Sequence, residues 1–319
     1  MRCRVRVAGA AWIFHLAPPT CHHLSHDLSP GGRGEQGVWS VRSGSLIRRR
    51  QLARTLRELR QKAGMTIETA APLLDFSPSK LSRIENAHQG VDVHAVRSMM
   101  DIFGVGGERW GEIVELTREA NAKGWWRAYG LDDHCYVPLE SEATRVRDFT
   151  VNYVPGLLQT ADYARALFAN SLRWRTPATL ERDVTVRIIR QERLTSAVEP
   201  LELLAVVEEA VLRRPVGGPT VMRAQLAHLV TVAEVDTVTL QVLPTVVGAH
   251  PGVDGAFTVL SFDGLGEPDI GYVEHLMGSV HIENDEDVAR ARVVFDHLRS
   301  VALSPAESVA LVERVIAQL

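Results

Sequence analysis

Phe76-Ser77-Pro78-Ser79-Lys80-Leu81-Ser82-Arg83-Ile84-Glu85-Asn86 is the stretch from which the fold reads outward. Ser77 is a strong N-cap, because its hydroxyl accepts an amide N–H of the first turn. Pro78 then takes the first helical position, where a missing N–H costs nothing. Leu81 and Ile84, three apart, share the inner face of this helix, while Ser79, Lys80, Ser82, Arg83 and Asn86 project from the rest. Short hydroxyl side chains let a backbone approach closely, and Lys and Arg reach guanine edges or phosphates. Such a helix is suited to the major groove of DNA.

Upstream, Leu52, Leu56 and Leu59 fall at i, i+4 and i+7, one apolar stripe on a helix otherwise rich in arginine, and Gly64 ends it. Thr66 caps a second helix carrying Ile67, Ala70, Ala71 and Leu74, and the two alanines leave room for a close helix crossing. Asp75-Phe76 forms the turn. Downstream, Val93, Val96, Met99, Met100 and Phe103 predict a fourth helix, and residues 108–122 a fifth with Trp110, Ile113, Val114 and Leu116 inward.

Charge separates this head from the rest. Residues 46–90 hold nine basic side chains against four acidic ones, a surplus of five within a chain of net −4, so everything else sums to −9. A basic module on an acidic body is the footprint of a DNA-binder with a separate sensing or partner domain. With 45% hydrophobic and 23% charged residues, 319 residues can bury a real core and support two domains. Three cysteines, Cys3, Cys21 and Cys135, build no paired framework, which points to a reduced, cytoplasmic protein. No stretch approaches the ~20 apolar residues that span a bilayer.

Residues 1–45 are expected to be a disordered extension or a start-site artefact. Arg2, Arg4 and Arg6 before an apolar run imitate a secretory signal, but His15 interrupts that run and Pro, Gly, Ser and His follow. The spacing of Cys21, His22, His23 and His26 fits no structural zinc pattern. Neither metal nor cofactor is expected.

The head spans 46–122, a linker 123–140, and a second domain 141–319. In the latter, helices are expected over 162–172, 178–198, 220–232, 286–300 and 305–318, and strands over 201–207, 237–243, 257–262 and 270–274. The fold class is therefore α+β: an all-α five-helix head followed by a mixed α/β regulatory domain. There is no Walker-type phosphate loop, no His-Glu-x-x-His and no Gly-x-Ser-x-Gly, so an enzyme is not expected. Polar candidates for a ligand or partner site are Gln159, Arg187, Arg190, Gln191, Glu208, Arg213, Arg214, His250 and Glu274. Arg187 and Arg190 share a helix face, fit either to clamp an anion or to pair with Glu208 or Glu209. His250 lies in a glycine-flanked loop, open to a ligand or simply at the surface.

The run from Leu59 to Asn86, above all SPSKLSRIEN, resembles the five-helix DNA-binding domain of lambda-repressor-like (xenobiotic-response-element type) regulators. That resemblance implies Ser79, Lys80 and Ser82 at base edges and Arg83 on phosphate or a base. It adds Thr66, Ser77 and Asn86 to the DNA-facing set, and gives Glu85 an internal structural hydrogen bond. It further implies symmetric dimers reading two half-sites of a double-stranded operator about one helical turn apart. Two departures stand out: Ile67 where the family commonly has Gln, and Asp75 where it commonly has Gly.

VPGLLQTADYARAL (154–167), RIIRQERL (187–194), EEAVLRRPVGG (208–218), QLAHL (225–229), VLPTVVGAHPG (242–252) and ALSPAESVALV (302–312) resemble the C-terminal domain of a large actinobacterial regulator family. Its members are antitoxin-like or developmental regulators, often encoded beside a small partner protein. Two functions follow as expectations: a DNA-binding regulator whose C-terminal domain senses a ligand or small partner, or an antitoxin-like protein that neutralises its partner and autoregulates its operon. Ile67 leans toward the second, since weak DNA contact suffices for autoregulation.

Overall fold

The structure is a computed structural model that describes residues 46–132, 135–171, 175–264 and 266–319. The extension expected over 1–45, with Cys21 and its neighbouring histidines, lies outside the described residues.

Five helices form the head: α1 (Leu46–Lys62), α2 (Ile67–Leu73), α3 (Pro78–Glu85), α4 (Val93–Ile102) and α5 (Glu108–Asn121). The starts of α2, α3 and α4 have a local cause. The Thr66 hydroxyl accepts the Thr69 N–H at 3.2 Å, that of Ser77 accepts the Lys80 N–H at 3.1 Å, and Asp92 accepts from His94 and Ala95 at 2.9 Å. Gly64 closes α1 at φ +71°, where a side chain would be strained. Asp75 takes the left-handed turn that its short polar side chain tolerates, at φ +55°, and Ala87 does the same after α3 without that help, at φ +58°. Leu52, Leu56, Ala70, Ala71, Leu81, Ile84, Val96, Met99 and Ile113 make one core. Both alanines are fully buried where α2 meets its neighbours.

The body is a six-stranded sheet: β1 (Arg145–Thr150), β2 (Glu202–Glu208), β3 (Val238–Leu243), β4 (Phe257–Ser261), β5 (Ile270–His275) and β6 (Gly278–Ile282), in the order β3-β2-β1-β4-β5-β6. β1, β2 and β3 run parallel, while β4, β5 and β6 are joined antiparallel on the other side of β1. Parallel pairing demands crossovers. Helices α7 (Ala161–Ala169) and α8 (Pro177–Gln191) bridge β1 to β2, and α9 (Glu209–Arg213) and α10 (Gly218–Val232) bridge β2 to β3. α6 (Tyr136–Glu142) precedes the sheet, and α11 (Asp285–Val301) and α12 (Pro305–Gln318) follow it. The pleat sends Val146, Leu203, Ala205 and Leu260 to one face, against α6, α7, α10 and α12. Phe149, Leu204 and Val206 turn to the other, against Phe295 and Leu298 of α11. The sheet is thus the middle of three layers.

Four differences from the sequence reading have physical reasons. β1 lies at the centre of the sheet, yet Arg145, Arg147 and Asp148 break its apolar pattern and hide it. β6 is the half-exposed last strand of the sheet, with too little burial to show an alternation. The helix expected over 178–198 stops at Gln191, and residues 192–195 tighten into a 3-10 turn. The stretch 123–140 carries a 3-10 turn, Trp125–Tyr129, with Trp126 fully buried, and most of α6.

Head and body meet at α1. The buried Glu142 carboxylate accepts the backbone N–H groups of Leu46 at 3.0 Å and of Ile47 and Arg48 at 3.2 Å. It thereby supplies partners that a helix N-terminus otherwise lacks, at the positive end of the dipole. Burial pushes this carboxyl up against the pull of its three donors. Ile47 is fully buried in the body's core, Arg50 pairs with Glu283 at 2.7 Å, and Arg54 pairs with Glu267. Glu142→Ala strands three N–H groups and should cost about 2–3 kcal/mol in denaturant unfolding, with amide exchange speeding first at residues 46–48. Glu142→Gln, which keeps one acceptor oxygen, should recover part of that loss.

Candidate nucleic-acid interface

The recognition face is built by turning α3 inward on its apolar side. Leu81 is fully buried and Ile84 nearly so, which leaves Ser79 and Arg83 exposed on the opposite side. Lys80 stands over the Phe76 ring with Nζ 3.5 Å from its centroid, a cation–π contact that holds the ammonium beside the turn. Among the described residues, Ser79 and Arg83 make no side-chain hydrogen bond, and Arg83 has no ion pair.

The other four expected DNA-facing residues are occupied at helix ends. Thr66 caps α2 and Ser77 caps α3. The Asn86 amide donates to the Ser82 carbonyl at 2.7 Å and toward its hydroxyl at 3.4 Å, so the pair finishes α3. Ile67, first residue of α2, offers no donor there; Thr69 completes the capping box, its Oγ1 accepting the Thr66 N–H at 2.9 Å.

Glu85 points away from the exposed face. Its two oxygens accept Nε and Nη2 of Arg60, each at 2.7 Å, and Arg60 Nη1 donates to the Met65 carbonyl at 2.6 Å. This bidentate pair pins α3 to the end of α1 and to the turn before α2, and the Glu85 hydrogen bonds hold Arg60 above its ordinary value. The internal role expected for Glu85 is therefore a buried ion pair.

In the body, four candidates gather around the loop that follows β1. Gln159 is fully buried and donates to the Val154 carbonyl at 2.7 Å. Gln191 donates to the carbonyls of Gln159 at 2.7 Å and Gly156 at 3.4 Å. Arg190 is clamped by Glu140, Nε and Nη2 each 2.6 Å from a carboxylate oxygen, above the Tyr136 ring. Its expected partners, Glu208 and Glu209, are engaged elsewhere. Arg187 lies beside Arg190 with its guanidinium over Phe168. Glu274 reaches the same region from the exposed end of β5, close enough for its charge to act on Arg187 and Tyr153.

Glu208 and His250 form a separate pair on the opposite face of the sheet. His250 Nε2 donates to Glu208 at 2.8 Å while Nδ1 accepts the Gly252 N–H at 3.2 Å. Its ring stands edge-on to Phe149, and its side chain is only 7% exposed, so this histidine is packed rather than at the surface. Arg213 lies apart and exposed, held by Glu209 at 2.8 Å and Gln318 at 3.0 Å. Arg214 is exposed after α9.

Sequence reasoning passed over Glu140, Asp148, Tyr153 and Arg193. Arg193 is buried and donates to three carbonyls, of Glu140, Ser141 and Ala143, fixing the end of α6. Asp148 left no mark of its own, because Arg145 and Arg147 beside it already make β1 read as a polar stretch.

Residues 51–110 match the model of a family described as Helix-turn-helix domain, from within α1 to the first turn of α5. Residues 134–314, more than half of the chain, match the model described as Domain of unknown function (DUF5753), which takes in α6 and the whole sheet. No curated protein and no solved structure matches the chain. Among the described residues no helix is long and apolar enough to cross a membrane.

Proposed function

We propose that this chain, which belongs to the family described as Domain of unknown function (DUF5753) and carries a helix-turn-helix domain in front of it, is a sequence-specific transcriptional regulator. It is of the lambda-repressor-like kind: α3 enters the major groove of a double-stranded operator, with Ser79, Lys80 and Arg83 as its contacts, and a homodimer reads two half-sites. The body senses a small ligand or partner protein and passes its state to the head through α1. One observation carries the DNA reading: a helix anchored by Leu81, Ile84 and the Arg60–Glu85 pair leaves its serine, lysine and arginine outward. Such a regulator works in the cytoplasm, beside its operator.

A second reading, partner neutralisation with DNA binding kept for autoregulation, is favoured by Ile67. It stands at the first position of α2 without a donor to offer DNA.

The test is fluorescence anisotropy of the full chain on DNA from its own upstream region at several salt concentrations, beside a Lys80→Ala, Arg83→Ala double variant. Each lost phosphate contact should lower the salt slope by about one, and a lost base contact should cost about 1–3 kcal/mol of discrimination. Affinity no better than for random DNA, unchanged by the double variant, would sink the regulator reading and leave partner binding in front.

A further inference from the structure

The sheet face that packs against α6, α7, α10 and α12 changes character at β1. Over β2 and β3 it is apolar, with Ala205 and Leu240 opposite Asp148 in register. From β1 onward the same row continues as Asp148, Thr258, Tyr272 and His281, one residue from each of β1, β4, β5 and β6. Asp148 belongs to a central strand on its helix-covered face, yet it is only half-buried, as are Tyr136, Tyr153, Arg187 and Tyr272 around it. The helices leave these five side chains part-exposed, so that the face is open here as a polar, aromatic-lined patch.

The patch lies where an open sheet is expected to leave a crevice. The chain builds outward along β1, β2 and β3, then returns to the other side of β1 to begin β4. Crevices at the carboxyl ends of strands form at such switch points. Asp148 stands near the carboxyl end of β1, just before the loop that carries Tyr153 and Gly156.

Two groups in this patch lack the partners that burial demands. Arg187 makes no hydrogen bond and no ion pair among the described residues. It lies over Phe168, and its Nη1 packs so tightly on Gly156 that a Cβ there would come within 2.0 Å. Burial and the adjacent Arg190 charge press it down to about 10. Asp148 receives one hydrogen bond, from the Thr258 hydroxyl at 3.1 Å, and burial lifts it to about 6. Two residues on, the hydroxyl of Thr150 is buried with no hydrogen-bond partner among the described residues. A desolvated cation and a desolvated carboxylate, each under-partnered, cost stability. Groups left under-partnered at such a cost concentrate at functional sites.

The charges select the ligand. Arg190 is neutralised by Glu140, which leaves Arg187 against Asp148 and Glu274. A purely anionic molecule would face two carboxylates, and a purely cationic one would leave Arg187 bare. We infer that the patch binds a small zwitterion of the amino-acid type, its carboxylate on Arg187, its ammonium toward Asp148 and Glu274, and its side chain along Tyr153 and Tyr272. The site deepens the reading of the body as a sensing domain. It does not depend on DNA binding, and it is tested without DNA, so that either can fail alone.

The experiment is thermal unfolding and calorimetric titration of the full chain with each of the twenty standard L-amino acids, beside the N-acetyl and amide forms of any that bind. At least one amino acid should raise the melting midpoint, with both single-charge forms at least tenfold weaker. Arg187→Met and Asp148→Asn should each weaken binding about 10- to 100-fold, the range for hydrogen bonds to charged groups. Without ligand, both variants should melt at or above the parent's midpoint. No shift with any of the twenty, equal binding of the blocked forms, or full binding by both variants would overturn the inference. So would a lower midpoint in both unliganded variants, since that result makes Arg187 and Asp148 structural.

Discussion

Glu140→Ala is expected to cost about 3–5 kcal/mol of stability, the loss typical when one partner of a buried ion pair is removed. Its side chain is 3% exposed and that of Arg190 9%, and the two share a pair of hydrogen bonds at 2.6 Å. Without the carboxylate, the Arg190 charge remains buried next to Arg187, which has no counter-ion of its own among the described residues. The damage has a direction. Glu140 sits on α6, and α6 also carries Glu142, which holds the N-terminus of α1. Weakening α6 therefore loosens the tie between body and head, and amide exchange should rise at residues 46–48 as well as through α6 and α8. A Glu140→Met, Arg190→Met double variant should lie within about 1–2 kcal/mol of the parent, because it removes the desolvation of both charges together. Denaturant unfolding of the three proteins checks this. Near-equal stability of the single variant and the parent would mean that the pair is solvated in solution.

How much of this was legible in the sequence depends on how local its cause is. α3 could be read residue by residue, because Ser77, Pro78, Leu81 and Ile84 settle its start and its inner face within eight positions. Asp75 in the left-handed turn was equally local. β1 was not legible: its register against β2 and β4 is set by residues more than fifty positions away, and Asp148 breaks the apolar run that marks a central strand. The partner of Arg190 was misplaced for the same reason. Spacing along a helix says that Arg187 and Arg190 share a face, but it says nothing of what faces them. Glu140, fifty residues earlier, reached the arginine first, while Glu208 and Glu209 were taken by His250 and Arg213. Glu142 escaped notice too, since a cap delivered from 95 residues away leaves no mark at the helix it caps.

Glu85→Ala should be as costly as the loss of Glu140, about 3–5 kcal/mol, and its consequences separate structure from recognition. Arg60 and Glu85 are 6% and 3% exposed, and their two hydrogen bonds join α3 to α1. Removing the carboxylate leaves a buried guanidinium that still donates to the Met65 carbonyl, so the charge cannot simply swing out to solvent. α3 would lose its fixed setting, and operator affinity should fall although Glu85 touches no DNA. The salt dependence of binding distinguishes this from a lost contact. No cation that meets phosphate is removed, so the slope of log affinity against log salt should stay at the parent's value while stability drops. The Lys80→Ala, Arg83→Ala variant should do the reverse, since both side chains stand clear of the core and surface changes of that kind are usually within about 0.5 kcal/mol. Crossing the two measurements in both proteins is therefore decisive. A Glu85→Ala chain of normal stability with a reduced salt slope would place Glu85 at the interface, and the assignment of the inner and outer faces of α3 would have to be reversed.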